Sequence, residues 1–162
     1  MANPLLSAMR IGAALALACA SAAALASDMR SPDPPAKPVD PNLAAGRKAI
    51  EAKDWPGAIQ LLEKAAARDA SNPDVHTLLG FAERNRGNTE VAFAHYERAL
   101  KLDPKHLGAH EYVGEAYLMV GNLAKAEEHL KALDKLCFFS CEEYRDLKKS
   151  IAEYKQKHAD AR

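Results

Sequence analysis

The chain has 162 residues, enough for one domain plus a processed segment, and its 22 basic and 22 acidic side chains cancel to a formal net charge of zero. That balance lacks the basic footprint that nucleic acid or an anionic membrane surface selects, so neither partner class is expected. Aromatic residues make up only 6% of the chain, alanine is abundant, and no run alternates cleanly with period two, so the pattern points to close-packed helices and an all-α class.

Residues 1–26 differ in kind from the rest. Arg10 supplies a positive start, Ile11 to Leu25 is almost unbroken Ala and Leu, and Ala24-Leu25-Ala26 gives the small-x-small pattern of a signal-peptidase site. The apolar run is short of the ~20 residues that span a bilayer, so a signal peptide is favoured over a transmembrane anchor. Lipidation at Cys19 is the competing reading, although Ala16-Leu17-Ala18 resembles a lipobox poorly. Cleavage after Ala26 leaves 21 basic against 22 acidic residues, a net charge of −1, and retains Cys137 and Cys141 of the three cysteines. The expected location is therefore secreted and periplasmic, with no stable membrane insertion after cleavage. Residues 27–38 form a proline-rich linker, since Ser27 to Pro41 holds five of the nine prolines and an extended polyproline conformation suits a tether.

A 34-residue period starts next and divides the chain into units 39–72, 73–106 and 107–138. Position 8 of the units is Gly46, Gly80 and Gly114, and position 20 is Ala58, Ala92 and Ala126. Position 24 is Leu62, Tyr96 and Leu130, the large residue expected to fill the seam between two helices. Position 16 is Asp54, Asn88 and Asn122, side chains able to cap the second helix of each pair. Ser140 followed by Glu143 forms a capping box that predicts a last helix starting at Cys141, placed at 140–158 with a short tail at 159–162. Tyr144, Leu147, Ile151 and Tyr154 line one face of it and Arg145, Lys148, Lys149, Glu153 and Lys155 the other, as the end of a helical stack requires.

These columns resemble the tetratricopeptide repeat, most fully in the middle unit with Leu79-Gly80, Gly87-Asn88, Ala92, Tyr96, Ala99 and Pro104. The first unit departs from the pattern, with Lys53 and Ala70 where Gly and Pro are usual, and the third carries Phe138 in place of Pro. The resemblance implies a right-handed α-solenoid of three helix pairs plus a C-terminal capping helix. It also implies a groove lined by the first helix of each pair. Carried over position by position, the groove residues are Leu43, Arg47 and Ile50, then Thr77, Phe81 and Arg84, then Glu111, Glu115, Leu118 and Met119. The apolar members suit an extended or helical peptide, the arginines acidic groups, and the glutamates a basic segment. The carboxylate clamp found in some family members is not supported, because Gly108, Tyr112 and Leu78 stand where its residues belong.

In an oxidising compartment, Cys137 and Cys141 suggest a structural disulfide at the junction of the third unit and the last helix. A redox or metal role is the alternative, and with it an accessory or assembly factor, for exported cytochromes among others. The missing Cys-x-x-Cys and Cys-x-x-Cys-His patterns weigh against it. No metal site is expected from the six histidines, because His76 and His110 share position 4, and His95 and His129 share position 23. Equivalent positions lie a repeat apart, about 10 Å, too far to share an ion. No phosphate loop, catalytic triad or His-Glu-x-x-His occurs, so neither an enzyme nor a cofactor is expected. The leading function is a non-catalytic scaffold for a protein or peptide partner, its oligomeric state left open.

Overall fold

The computed structural model of the protein describes residues 40–159. The expected signal peptide, the question of lipidation at Cys19, the proline-rich linker and the last three residues lie outside the described residues. Among the described residues there are seven helices and no strand: α1 Pro41–Glu51, α2 Trp55–Arg68, α3 Pro73–Arg86, α4 Thr89–Leu102, α5 Leu107–Met119, α6 Leu123–Leu136 and α7 Glu142–Ala159.

Local chemistry explains most of the boundaries. The Asp40 carboxylate accepts from the Asn42 and Leu43 N–H groups, and Pro41 opens α1 where a missing donor costs nothing. Asp54 accepts from Gly57 N–H at 3.0 Å, Asn72 from Asp74 N–H at 3.0 Å, and Asn122 from Lys125 N–H at 3.1 Å. Asn88 breaks the expected series. Its side-chain amide donates to Glu83 at 2.6 Å and caps nothing. The turn within each pair needs a left-handed residue at position 15, supplied by Gly87 (φ 98°) and Gly121 (φ 77°). Lys53 holds the same conformation in the first unit at φ 56°, although a side chain is strained there. The departure from the repeat pattern thus changes the residue and keeps the turn.

The stacking is regular. Each first helix packs on both helices of the preceding pair: α3 on α1 and α2, α5 on α3 and α4, and α7 on α5 and α6. So α7 occupies the place that a fourth pair's first helix would take, and the described residues form an all-α solenoid of three pairs and a cap. Ala58, Ala92, Ala116 and Ala126 are fully buried where helices approach closely. At Gly80 an added Cβ would stand 2.6 Å from the Tyr96 ring, and at Gly46 2.8 Å from Leu62.

The third seam differs from expectation. Leu147 of α7, not Leu130 of α6, lies against Gly114, where a Cβ would fall 2.6 Å from Leu147 Cδ2. Leu147 is fully buried, while Leu130 is half-buried at the edge of the same cluster. The capping helix therefore enters the position that the sequence pattern reserves for the pair's own second helix. It also begins one residue later than the capping box requires. The Cys141 carbonyl accepts from Arg145 N–H at 3.2 Å, which makes Cys141 the first residue outside the helix and leaves Ser140 out of register.

Candidate functional site

The predicted groove residues separate into a buried layer and an exposed one. Leu43 is in the core of the first unit, and Thr77 is buried with its hydroxyl donating to the Pro73 carbonyl at 2.9 Å. Neither side chain is open to a partner. Leu118 is largely buried as well, at 9% exposure. Arg47 is exposed and pairs with Asp74 at 2.8 Å, and Ile50 packs half-buried on the first unit's core. Phe81, Glu111 and Glu115 are half-buried, and Met119 is 63% exposed.

Arg84 is not the open cation that its groove position implied. Only 8% of its side chain is exposed. It pairs with Glu115 at 2.9 Å, donates to the Tyr112 carbonyl at 3.2 Å, and lies over the rings of Phe81 (5.2 Å) and Tyr112 (5.9 Å). Ser150 of α7 donates to the other Glu115 oxygen at 3.2 Å. The arginine thus ties α3 to α5 and, through Glu115, to α7. Beside it lies a cleft of about 380 Å³ lined by Arg84, Asn85, Glu115, Leu118, Met119 and Ser150.

Two members of this surface were not among the groove residues expected from the sequence, where Tyr112 figured only as a residue standing in a clamp position. Tyr112 meets Phe81 in a tilted contact with ring centroids 4.7 Å apart, and Trp55, at the start of α2, meets Phe81 edge to face at 6.1 Å. Trp55 belongs to a second helix and Tyr112 lies next to the groove position of Glu111, so a rule based on those positions misses both. Trp55, Phe81 and Tyr112 come from three successive units and make one aromatic strip.

The electrostatics beside the strip are one-sided. The Glu111 carboxyl is pushed up to about 8, chiefly by burial, then by Glu115, Asp146 and Glu143, with Arg84 acting against the shift. At the other end, Asp74 is held below its usual range, first by its hydrogen bond with His106 and then by Arg47, against the effect of burial. His106 has a double role. Its Nδ1 accepts from the Ala109 N–H at the start of α5, so its Nε2 carries the proton that Asp74 accepts at 2.8 Å.

The histidines pair within units instead of between them. His76 and His95 approach Nδ1 to Nδ1 at 3.5 Å, and His110 and His129 at 2.9 Å. The Nε2 of His76 and of His110 each sits 3.1 Å from a carbonyl, which can only accept, so both tautomers are fixed and the partner Nδ1 donates. His129 is pushed down to about 4 and His95 is lowered too, in each case by burial first and the neighbouring imidazole second. Equivalent positions lie in different units, whereas positions 4 and 23 of one unit face each other. The repeated separation of 19 residues was the available signal. Among the described residues no group of three or more His, Cys, Asp or Glu side chains is placed to hold a metal ion. Cys137 and Cys141 stand at disulfide distance with Cα atoms 5.6 Å apart, inside the usual range. The intervening Phe138 and Phe139 are 92% and 85% exposed.

Two tetratricopeptide-repeat family patterns match the chain, one over residues 43–106 and one over 84–151. The TPR2B domain of yeast Sti1, solved in its complex with pHsp70, is similar at 19% identity and a TM-score of 0.65, covering 72% of this chain and 94% of that one. The type III secretion chaperone SycD of Yersinia enterocolitica, in complex with a peptide of the translocator YopD, is 17% identical with a TM-score of 0.61, covering 72% and 92%. The Sgt2 repeat domain of Aspergillus fumigatus is 22% identical with a TM-score of 0.64, covering 74% and 78%. At these identities the likeness establishes the fold.

Proposed function

The chain belongs to the tetratricopeptide-repeat family, and from that premise we propose that it is an exported, non-catalytic scaffold that binds a peptide or protein segment along its groove. The observation that carries the reading is the aromatic strip of Trp55, Phe81 and Tyr112, which lies beside the cleft bordered by Met119. It offers apolar contact area on a support locked from behind by Arg84, Glu115 and Ser150. A receptor held in its binding shape loses little conformational entropy on association. Similar folds solved with a YopD peptide and with pHsp70 support a peptide-sized occupant. Export rests on Arg10, the apolar run and the Ala24-Leu25-Ala26 site. In the oxidising compartment that export implies, Cys137 and Cys141 form a disulfide that fixes where α7 leaves the third unit.

Phe81→Glu tests the groove. The variant puts a charge into a half-buried aromatic contact, so capture of a partner from periplasmic extract should fall by about 2 kcal/mol or more in binding energy while helicity is unchanged. Undiminished capture by a folded variant would remove Phe81, and the strip with it, from the binding surface.

A further inference from the structure

This inference rests on the groove being the binding surface and goes on to the chemistry of its occupant. The cation nearest the aromatic strip, Arg84, is already neutralised by Glu115 and almost wholly buried. What remains is acidic. Glu111 of α5 is half-buried, and Glu143 and Asp146 of α7 are near enough to act on it, as is Glu115 on its own helix. Among the described residues none of Glu111, Glu143 and Asp146 has an ion-pair or hydrogen-bond partner.

A second, independent feature directs polar capacity to the same place. The Tyr96 hydroxyl is buried with no hydrogen-bond partner. After burial itself, the groups that act on this phenol are Arg84, Glu115, Tyr112 and Glu111, so it lies in the field of the same cluster. Native interiors seldom leave such a group unpaired. The Arg84 guanidinium already lies over both the Phe81 and the Tyr112 rings, which shows that these faces accept such a group.

Carboxylates without counter-ions beside flat aromatic faces complement a side chain that brings a cation and an apolar stem together. We infer that the groove takes a basic partner segment, with an arginine or lysine side chain seated against Tyr112 and paired with Glu111. An acidic segment would meet Glu111, Glu115, Glu143 and Asp146, with in its favour only Arg84, which is spent on Glu115, and Arg47, which is paired with Asp74. Seating the cation draws Glu111 into its ionised form, so binding releases a proton when the free carboxyl is protonated. The groups facing Glu111 are Glu115 and Tyr112 on its own helix, Glu143 and Asp146 on α7, and Arg84 on α3.

The chain's single tryptophan, Trp55, meets the edge of Phe81 and serves as the reporter. Acetylated, amidated Leu-Ala-Arg-Ala-Leu is titrated against the protein by fluorescence, alongside the same peptide with Gln or Glu at its centre. The arginine peptide should bind at least about tenfold tighter than the glutamate peptide, with the glutamine peptide between them. Its affinity should rise with pH by up to about tenfold per unit below about pH 8, then level off. Glu111→Gln removes a repelled carboxylate, keeps the side chain's shape, and should weaken the preference and abolish the pH dependence below about pH 8. Equal binding of the three peptides, or a preference for glutamate, would overturn the basic occupant and leave the groove itself standing. Absence of binding by all three would also overturn it, while the groove is judged separately by partner capture with Phe81→Glu.

Discussion

Leu147→Ala probes the way the stack ends. Leu147 is fully buried, and its Cδ2 lies so close to the α5 backbone that a methyl group at Gly114 would stand 2.6 Å from it. Truncating a buried leucine costs about 2–5 kcal/mol, and the cost is highest where the surroundings cannot collapse into the space. Here one wall is the backbone of α5, which cannot follow the receding side chain, so about 3–5 kcal/mol is expected. Stacked repeats couple chiefly to their neighbours, so the loss should appear as local opening of α7 more than as failure of the whole domain. At 3 kcal/mol the open population of α7 grows by more than about a hundredfold. Native-state hydrogen exchange read residue by residue, with a urea titration beside it, measures this directly. Protection should fall across the middle of α7 while α1 to α4 keep theirs. A matching perturbation is Gly114→Ala, expected to cost about 1–3 kcal/mol through the clash with Leu147. The double variant should be less destabilised than the sum, because truncating Leu147 makes room for the new methyl group. A loss of protection below about tenfold, or an equal loss in every helix, would refute the account of α7 as an integral layer of the stack.

Three further outcomes follow from particular residues. Lys53→Gly removes a side chain from a left-handed turn at φ 56° and should stabilise the first unit by roughly 0.5–1 kcal/mol, read by thermal melting; a destabilised variant would mean the turn needs the lysine. Tyr96→Phe deletes a buried hydroxyl that has no partner and should leave stability unchanged or raise it by about 1 kcal/mol; a clear loss would expose a hydrogen bond not accounted for. His129 has a folded value near 4, below the ordinary 6.5, so its contribution to stability is full above pH 6.5 and is lost as pH falls toward 4. Halved for partial exposure, that loss is about 1–2 kcal/mol. Glu111 slopes the other way, its contribution falling as pH rises from 4.5 through about 8, so His129→Phe is compared with the parent protein at each pH. The difference should shrink toward pH 4, and a constant difference would refute the shift.

The architecture was legible because the repeat imposes it. Gly46, Gly80 and Gly114 fall in one column since each lies where a large side chain crosses, and Asp54 and Asn122 cap as their positions predict. What the pattern did not carry is which neighbour completes a contact. Gly114 is filled by Leu147 from beyond the repeats, so a rule built on pairs chose Leu130. Arg84 was legible as a groove residue, but its partner Glu115 comes from the next unit, and that pairing turns an open cation into a buried tie. Leu43 and Thr77 sit at groove positions yet turn inward, as side chains at the edge of a helical stripe do when the neighbouring helix is close. The Ser140–Glu143 box failed because the chain bends back between Cys137 and Cys141, whose Cα atoms are 5.6 Å apart, and the Cys141 carbonyl, not that of Ser140, accepts the first helical bond.

Two apolar surfaces compete for the partner: the strip around Phe81 and the exposed pair Phe138–Phe139 between the two cysteines. The affinity of a captured partner for Phe81→Glu and for the double variant Phe138→Ser/Phe139→Ser, measured by calorimetry on equally folded proteins, separates them. The groove account predicts a loss of at least about thirtyfold for Phe81→Glu and a change below about threefold for the double variant. Intact binding by Phe81→Glu with loss in the double variant would contradict it.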